Sequence, residues 1–162
     1  MDIVNDEILN QILISSAEKI ISSVSDKILT QLQDDIKRDI YTHDYFPNKY
    51  YVAGSGIPTF DFLRAWKWDV IRTDIMTTTR ELYYDYLSMV YDPENFIHGN
   101  RTMDKREELA DDLNVSGIAN NSDFGRKERA PFWSNFLYEM LEEGQLESWF
   151  DEEFESMGFI KI

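Results

Sequence analysis

The chain has 162 residues, of which 43% are hydrophobic and 14% aromatic, enough for one domain with a core of its own. Its 31 acidic residues outnumber its 16 basic ones and give a formal charge of −15, which disfavours unassisted binding to nucleic acid or to an anionic membrane. The absence of cysteine excludes disulfides, thiolate metal sites and a cysteine nucleophile. We expect a single domain over 1–162, with a helical arm at 1–40 and an α+β body at 41–162.

The first 40 residues predict a long helix. Neither glycine nor proline occurs between Asn5 and Ile40, and apolar residues recur at helical spacing throughout. One unbroken helix of that span would be about 54 Å long, whereas a compact chain of this length is roughly 40 Å across. The helix must therefore break or protrude. Ser23 and Asp26 have the spacing of a capping box, so a break near Ser22 to Asp26 is the economical alternative to protrusion.

An apolar stripe on this helix predicts contacts with other molecules. Residues four apart drift by about 40° on a helix with 3.6 residues per turn, so the stripe from Ile20 to Ile40 winds more than halfway round it. No single flat neighbour covers such a stripe, and we expect further copies of the chain to cover part of it. The residues predicted to contact another copy or a partner are Ile20, Val24, Ile28, Leu32 and Ile36.

The middle of the chain predicts a loop followed by an antiparallel hairpin. Proline, asparagine and glycine dominate 41–58, and then apolar and polar residues alternate over 66–70 and again over 84–90 before Asp92-Pro93. A helical interpretation stays open, because Phe62, Trp66 and Val70 also lie four apart. Few cations surround the aromatic residues of this sheet, so we interpret them as core or interface packing rather than as a base-stacking platform; they are Trp66, Trp68, Tyr83, Tyr84 and Tyr86.

The last third predicts two helices and a closing strand. A short acidic helix is expected over 103–113 and a polar loop over 118–130. The final helix begins at Pro131, is bent or interrupted by Gly144 and ends at Gly158 as a left-handed cap. One last short strand follows over 159–162.

No catalytic signature accompanies these elements. The only two histidines, His43 and His98, are separated by the whole hairpin region, which does not favour a shared metal site. Clustered carboxylates at 34–35, 111–112 and 151–153 lie on helix faces that we expect to be exposed, which favours a solvated face over a metal site. No apolar run approaches the roughly 20 residues of a membrane span, and we expect a cytoplasmic protein with no cofactor and no enzymatic activity.

The order of short motifs resembles the tail-completion, or minor tail component, family of long-tailed bacteriophages. Arg129, Pro131, Phe132 and Trp133 open the last helix as in that family, and Trp66 begins the first strand after a threonine-led short helix. The ending Gly158-Phe159-Ile160-Lys161-Ile162 is similar to the family's terminal strand, and the match extends over most of the chain after Tyr45. Two departures, Phe60 in place of a glycine and Ser116-Gly117 in the variable loop, leave open the level of the tail at which such a protein sits.

The resemblance implies an α+β fold with a long N-terminal helix, an antiparallel sheet, a C-terminal helix and a short final strand. It also implies a ring of identical subunits at the head-tail junction of the virion, joining the connector or stopper to the tail terminator or tail tube. It implies no metal, no cofactor, no membrane and no specific nucleic-acid binding, although DNA would pass through the ring. As a hypothesis, the channel is lined by Glu147, Asp151, Glu152 and Glu155, because like charge keeps passing DNA from sticking.

Two other classes of function remain open. A small, acidic, aromatic-rich protein is also typical of a DNA mimic that occupies a basic nucleic-acid-binding protein, provided that its carboxylates are spaced like phosphates on one face. A carboxylate-metal nuclease ranks third and would have to retain Mg²⁺ or Mn²⁺.

Overall fold

A long helix, antiparallel strand pairs and two shorter helices follow one another along the chain, which confirms the predicted α+β class. The structure is a computed structural model and describes residues 6–41, 52–53, 57–58, 61–74, 77–88 and 132–159. The predictions for 103–113, 118–130 and 160–162, for both histidines, and for Arg129 and Pro131 lie outside these ranges. The helices are α1 (Asp6–Ile36), α2 (Asp61–Arg64), α3 (Phe132–Leu137) and α4 (Gln145–Ser156). The strands are β1 (Val52–Ala53), β2 (Ile57–Pro58), β3 (Trp66–Trp68), β4 (Arg72–Thr73), β5 (Thr78–Thr79) and β6 (Leu82–Tyr84).

Helix α1 is continuous over 31 residues, so the predicted break near Ser22 to Asp26 is wrong. The Ser25 hydroxyl donates to the carbonyl oxygen of Ile21 at 2.5 Å, a bond within a continuing helix, and Ser23 uses its hydroxyl in a contact with α4. At 1.5 Å per residue, α1 is about 46 Å long, and a π-helical turn, Lys37–Tyr41, extends it. Helix α1 therefore protrudes instead of breaking. The evidence is that the side chains of residues 6–15 are all exposed.

The predicted hairpin is present, and it carries a bulge. Strands β3 and β6 pair with Trp66 opposite Tyr84, and β4 and β5 pair with Arg72 opposite Thr79. The two registers differ by one residue, so the first arm holds one more residue than the second between the two strand pairs, which bends the ladder and increases its twist. The second arm ends earlier than predicted, since Tyr86–Ser88 form a 3₁₀ turn.

Both C-terminal glycines have the predicted roles. A π-helical turn, Tyr138–Glu142, follows α3, and Gly144 then takes a φ of 74° at the start of α4. Gly158 takes a φ of 84° just after α4 ends. A Cβ atom at Gly144 would meet nothing within 4 Å, so the backbone angle, and not a lack of space, favours glycine there.

The largest buried cluster lies where the C-terminal half of α1, the first hairpin strand and α3 meet. Phe132 and Leu32 are fully buried at its centre, and Leu63 and Ala65 reach it from α2 and the residue after it. The cluster consists of Leu32, Ile36, Leu63, Ala65, Trp66, Phe132, Phe136 and Met140. The N-terminal third of α1 contributes no side chain to this cluster.

Candidate interaction surface

The aromatic residues that carry the family resemblance come together in the core. The rings of Trp66 and Trp133 stack with centroids 4.9 Å apart and planes 19° apart, and Phe132 meets Trp66 edge-on at 6.5 Å. Tyr84 lies opposite Trp66 in the hairpin and packs against it edge-on at 5.2 Å. These contacts hold the first turn of α3 against the hairpin. A packing role for Trp66, Phe132 and Trp133 is therefore present in the structure.

A second tryptophan ties the hairpin to α1. Trp68 lies on the same strand face as Trp66, and its indole N–H donates to the backbone oxygen of Ser25 at 2.8 Å. Lys67, between the two, points to the other face and pairs with Asp85 at 2.6 Å, which holds the pKa of that carboxyl below its usual value. The interpretation of the aromatic cluster as packing is confirmed for Trp66 and Tyr84, whereas Trp68 is partly buried and Tyr83 is exposed.

The stripe predicted to contact other copies is instead covered by the chain itself. Ile20, Val24, Leu32 and Ile36 are at most 2% exposed, and Ile28 packs against the core cluster. The stripe winds round α1, but the chain still covers it because three of its own elements contact α1: α3, α4 and the hairpin. In this conformation the four buried residues offer almost no surface to a partner, and Ile28 is partly buried.

The exposed apolar surface of α1 lies in its first third. Five large aliphatic side chains there are 37–53% exposed: Ile8, Leu9, Ile12, Leu13 and Ile14. The four-residue spacing of the buried stripe extends back from Ile20 through Ser16 to Ile12 and Ile8. A helix segment with this much uncovered apolar surface is typical of a site that another molecule covers.

An open apolar groove runs beside this segment. Its volume is about 290 Å³, and one wall is α1 itself, at Leu13, Ile14, Ala17, Ile20 and Ile21. The hairpin supplies a second wall at Thr73, Asp74, Thr77 and Thr78, and Phe150 and Phe154 of α4 supply the third. We call this space the helix–hairpin groove. Sequence reasoning missed it, because its walls come from three segments that are far apart along the chain.

Helix α4 is fastened to α1 at one end of the groove. The Ser23 hydroxyl donates to Glu153 Oε1 at 2.7 Å, and Lys27 Nζ lies 3.0 Å from Glu153 and 3.0 Å from Glu152. The Ser23 hydroxyl, followed by the Lys27 ammonium, holds the pKa of Glu153 below its usual value, and the two carboxylates raise the pKa of Lys27. This clamp positions Phe150 and Phe154, which lie on the same helix, beside the N-terminal half of α1.

Asp35 is a buried carboxylate, contrary to the prediction that 34–35 lie on an exposed face. Its side chain is 1% exposed; Oδ1 accepts from Arg38 at 2.7 Å and from Gln31 at 3.2 Å, while Oδ2 has no hydrogen-bond partner. Burial raises the pKa of Asp35, and the Arg38 guanidinium opposes that shift only in part. The sequence carried the signal, since Asp35 follows Leu32 by three residues and so shares the buried side of the helix.

An acidic surface lies on the side of α4 opposite Glu153, the residue that accepts from Ser23. Glu147, Asp151, Glu152 and Glu155 surround an open depression of about 420 Å³ together with Gly144 and Ser148. No group of three or more histidine, cysteine, aspartate or glutamate side chains suited to a metal ion occurs among the residues that the structure describes. Over the same residues, no helix combines the length and the apolar character needed to cross a membrane.

Comparisons with known proteins do not assign this surface to a family. No protein-family model, no curated protein and no solved structure matches the chain.

Proposed function

We propose that the chain is a structural protein of a tailed bacteriophage virion, a tail-completion or neck component whose copies form a ring between the head-tail connector and the tail tube. The observation that carries the proposal is the uncovered apolar first third of a 31-residue helix whose remainder is built into the core. A rigid helix that extends beyond its own globule with aliphatic side chains exposed is suited to packing on a neighbouring subunit.

The arrangement of the core also supports this role. The aromatic residues at the start of α3 pack on Trp66 of the hairpin, as the resemblance to tail-completion proteins implies. Their packing fixes the C-terminal helices to the hairpin and leaves the N-terminal third of α1 free to make contacts. The proposed partners are further copies of the chain and the connector, stopper or tail proteins above and below the ring.

One observation favours a second candidate, an acidic DNA mimic. Glu147, Asp151 and Glu155 follow one another every four residues along α4, so adjacent carboxylates are roughly 6 Å apart along the helix axis. A regular row of negative charge suits a protein that normally binds the phosphates of DNA. The same row would also suit the lining of a ring channel, where it would repel passing DNA.

The two candidates differ in where the protein is found and in how it responds to salt. Gold-labelled antibodies against the chain, applied to purified virions produced with its gene, should mark the junction of head and tail if the neck role is correct. Native mass spectrometry and negative-stain electron microscopy should show rings with an open centre that persist at 0.5 M NaCl. A chain missing from virions, but bound to a basic host protein in low salt and released by 0.5 M NaCl, would replace the neck role with the mimic.

A further inference from the structure

The N-terminal third of α1 carries apolar side chains on opposite sides. Ala17 follows Ile8 by nine residues and Ile21 follows Ile12 by nine, which is two and a half helical turns, so the members of each pair point in opposite directions. Ala17 and Ile21 face the helix–hairpin groove. Ile8 and Ile12 therefore point away from it, and with Leu9, which lies one turn before Leu13, they form an exposed surface that we call the outer patch.

The two surfaces differ in shape and are complementary in chemistry. The outer patch is a convex row of aliphatic side chains on a protruding helix. The groove is concave, and its walls are mainly aliphatic and aromatic, with threonines and Asp74 at the hairpin edge. Every copy carries both surfaces. The patch of one copy can therefore enter the groove of the next copy, and no patch has to meet another patch.

We infer that the outer patch of one copy packs into the helix–hairpin groove of a second copy. This contact is heterologous, since it joins different surfaces, and heterologous contacts close into rings or continue as filaments. The inference names the subunit contact of the proposed neck ring and rests on that proposed function for the closure of the ring. Dimers formed through two equivalent patches would leave every groove empty.

The area involved fits the apolar centre of a specific protein interface. Six large side chains that are 37–53% exposed would meet at each contact: Ile8, Leu9 and Ile12 from one copy and Leu13, Ile14 and Phe154 from the next. Six such side chains expose apolar area on the order of several hundred Å², and stable interfaces bury about 1,200–2,000 Å² in total with a polar rim round such a centre. The polar threonines at the hairpin edge are placed to form part of that rim.

The scarcity of charge at both surfaces suits an apolar contact between two copies better than a contact with a basic partner. Among the described side chains that line the groove Asp74 is the one charged group, and the three residues of the outer patch are all uncharged. Two copies that each carry −15 repel one another over long range, so their association must come from apolar contact and should tighten as salt screens the repulsion. A complex with a basic protein would weaken under the same change.

The test uses a matched pair of substitutions in the full chain. Ile12→Asp places a charge in the outer patch and leaves the groove intact. Ile14→Asp places the same charge in the groove and leaves the outer patch intact, so the pair is matched in residue type and in helix. Each variant alone should associate at least about tenfold more weakly than the unchanged chain, measured by sedimentation equilibrium and native mass spectrometry. Mixed together, the two variants should form a one-to-one dimer, because the patch of the Ile14→Asp chain still fits the groove of the Ile12→Asp chain.

Controls separate the contact from folding and from net charge. Leu141→Asp adds the same charge at a more exposed apolar position outside the groove, and it should leave association within about twofold of the unchanged chain. Circular dichroism should report the same helix content and Tm within a few degrees for all three variants. If Ile12→Asp unfolds the chain, the milder Ile12→Ser and Ile14→Ser pair repeats the mixing experiment.

Three results would overturn the inference. Rings that survive Ile12→Asp and Ile14→Asp would show that another surface joins the copies, and the neck role would stand. Association that is lost in Ile12→Asp but kept in Ile14→Asp would show that like patches meet and that the groove is not used. An unchanged chain that remains monomeric at high concentration and high salt would remove the contact altogether, and the antibody labelling of virions would then decide separately whether the chain belongs to the neck.

Discussion

The two parts of α1 share one sequence pattern and have opposite environments. Apolar residues follow every fourth position through both, with one serine between them, yet Ile20, Val24, Leu32 and Ile36 are buried while Ile8 and Ile12 are half exposed. The helix is continuous across the boundary, so the difference is not local. What differs is the neighbour, because the described residues of α4 and the hairpin line the groove beside α1 from Leu13 onward. A hydrophobic stripe therefore predicts that another surface covers it, but it does not predict which surface does so.

The largest expected effect compares two leucines on this one helix. Leu32→Ala should lower the free energy of unfolding by about 2–5 kcal/mol, because Leu32 is fully buried and its truncation leaves a cavity. Leu9→Ala changes the same residue type at an exposed site and should cost less than about 1 kcal/mol. Urea unfolding at a protein concentration low enough to keep the chain monomeric measures both. Equal losses would mean that the first third of α1 is covered within the single chain.

A smaller effect is expected at the glycine that directs α4 back toward α1. Gly144→Ala should destabilise the chain by about 1–2 kcal/mol, because alanine disfavours the φ of 74° even though its Cβ has space. Gly144→Asn is the control: asparagine tolerates a left-handed backbone and caps helix N-termini, so it should cost less than alanine. Urea unfolding compares the two. If alanine were harmless, the turn would not depend on glycine.

The smallest effect is expected in the clamp at the boundary between the two parts of α1. Glu153→Gln keeps acceptors for Ser23 and Lys27 and loses only the charge, so Tm at pH 7 should fall by no more than about a few degrees. The depressed pKa of Glu153 means that its ionised form stabilises the fold above the unfolded pKa. That contribution is lost as the pH falls through the folded pKa, so the difference in Tm between the variant and the unchanged chain should vanish in acid.

Two carboxylates serve as controls for this pH dependence. Glu152→Gln should have a smaller effect than Glu153→Gln, because Glu152 also pairs with Lys27 but is 59% exposed against 18%. Asp35→Asn should act with the opposite sign, since burial raises the pKa of Asp35. Its contribution is present below the unfolded pKa and lost as the pH rises through the folded pKa. A Tm difference for Glu153→Gln that persists unchanged below pH 3 would contradict the role assigned to its charge.

The local elements followed closely from the sequence. Periodicity located α1 and alternation located the first hairpin arm at Trp66, but alternation placed the second arm over 84–90, later than the strand Leu82–Tyr84. The two C-terminal glycines were placed correctly because a left-handed backbone angle at a helix end favours glycine. The break predicted near Ser23 and the exposure predicted for Asp35 were both wrong, at residues whose state depends on distant partners. Ser23 bonds to Glu153, 130 residues later, and Asp35 is buried in a core that α3 completes.

The sequence by itself determined the order of the helix and strand segments and how strongly acidic the chain is, because these properties depend on composition and on neighbours within a few residues. Only the tertiary structure decided which stretch of α1 is core and which is exposed, and only it assembled the helix–hairpin groove from three separate segments. The physical reason is that a side chain is buried only where a second surface covers it. A stripe of isoleucines has the same chemistry at Ile12 as at Ile20, and the difference between solvent and core is set by what the rest of the chain places beside it.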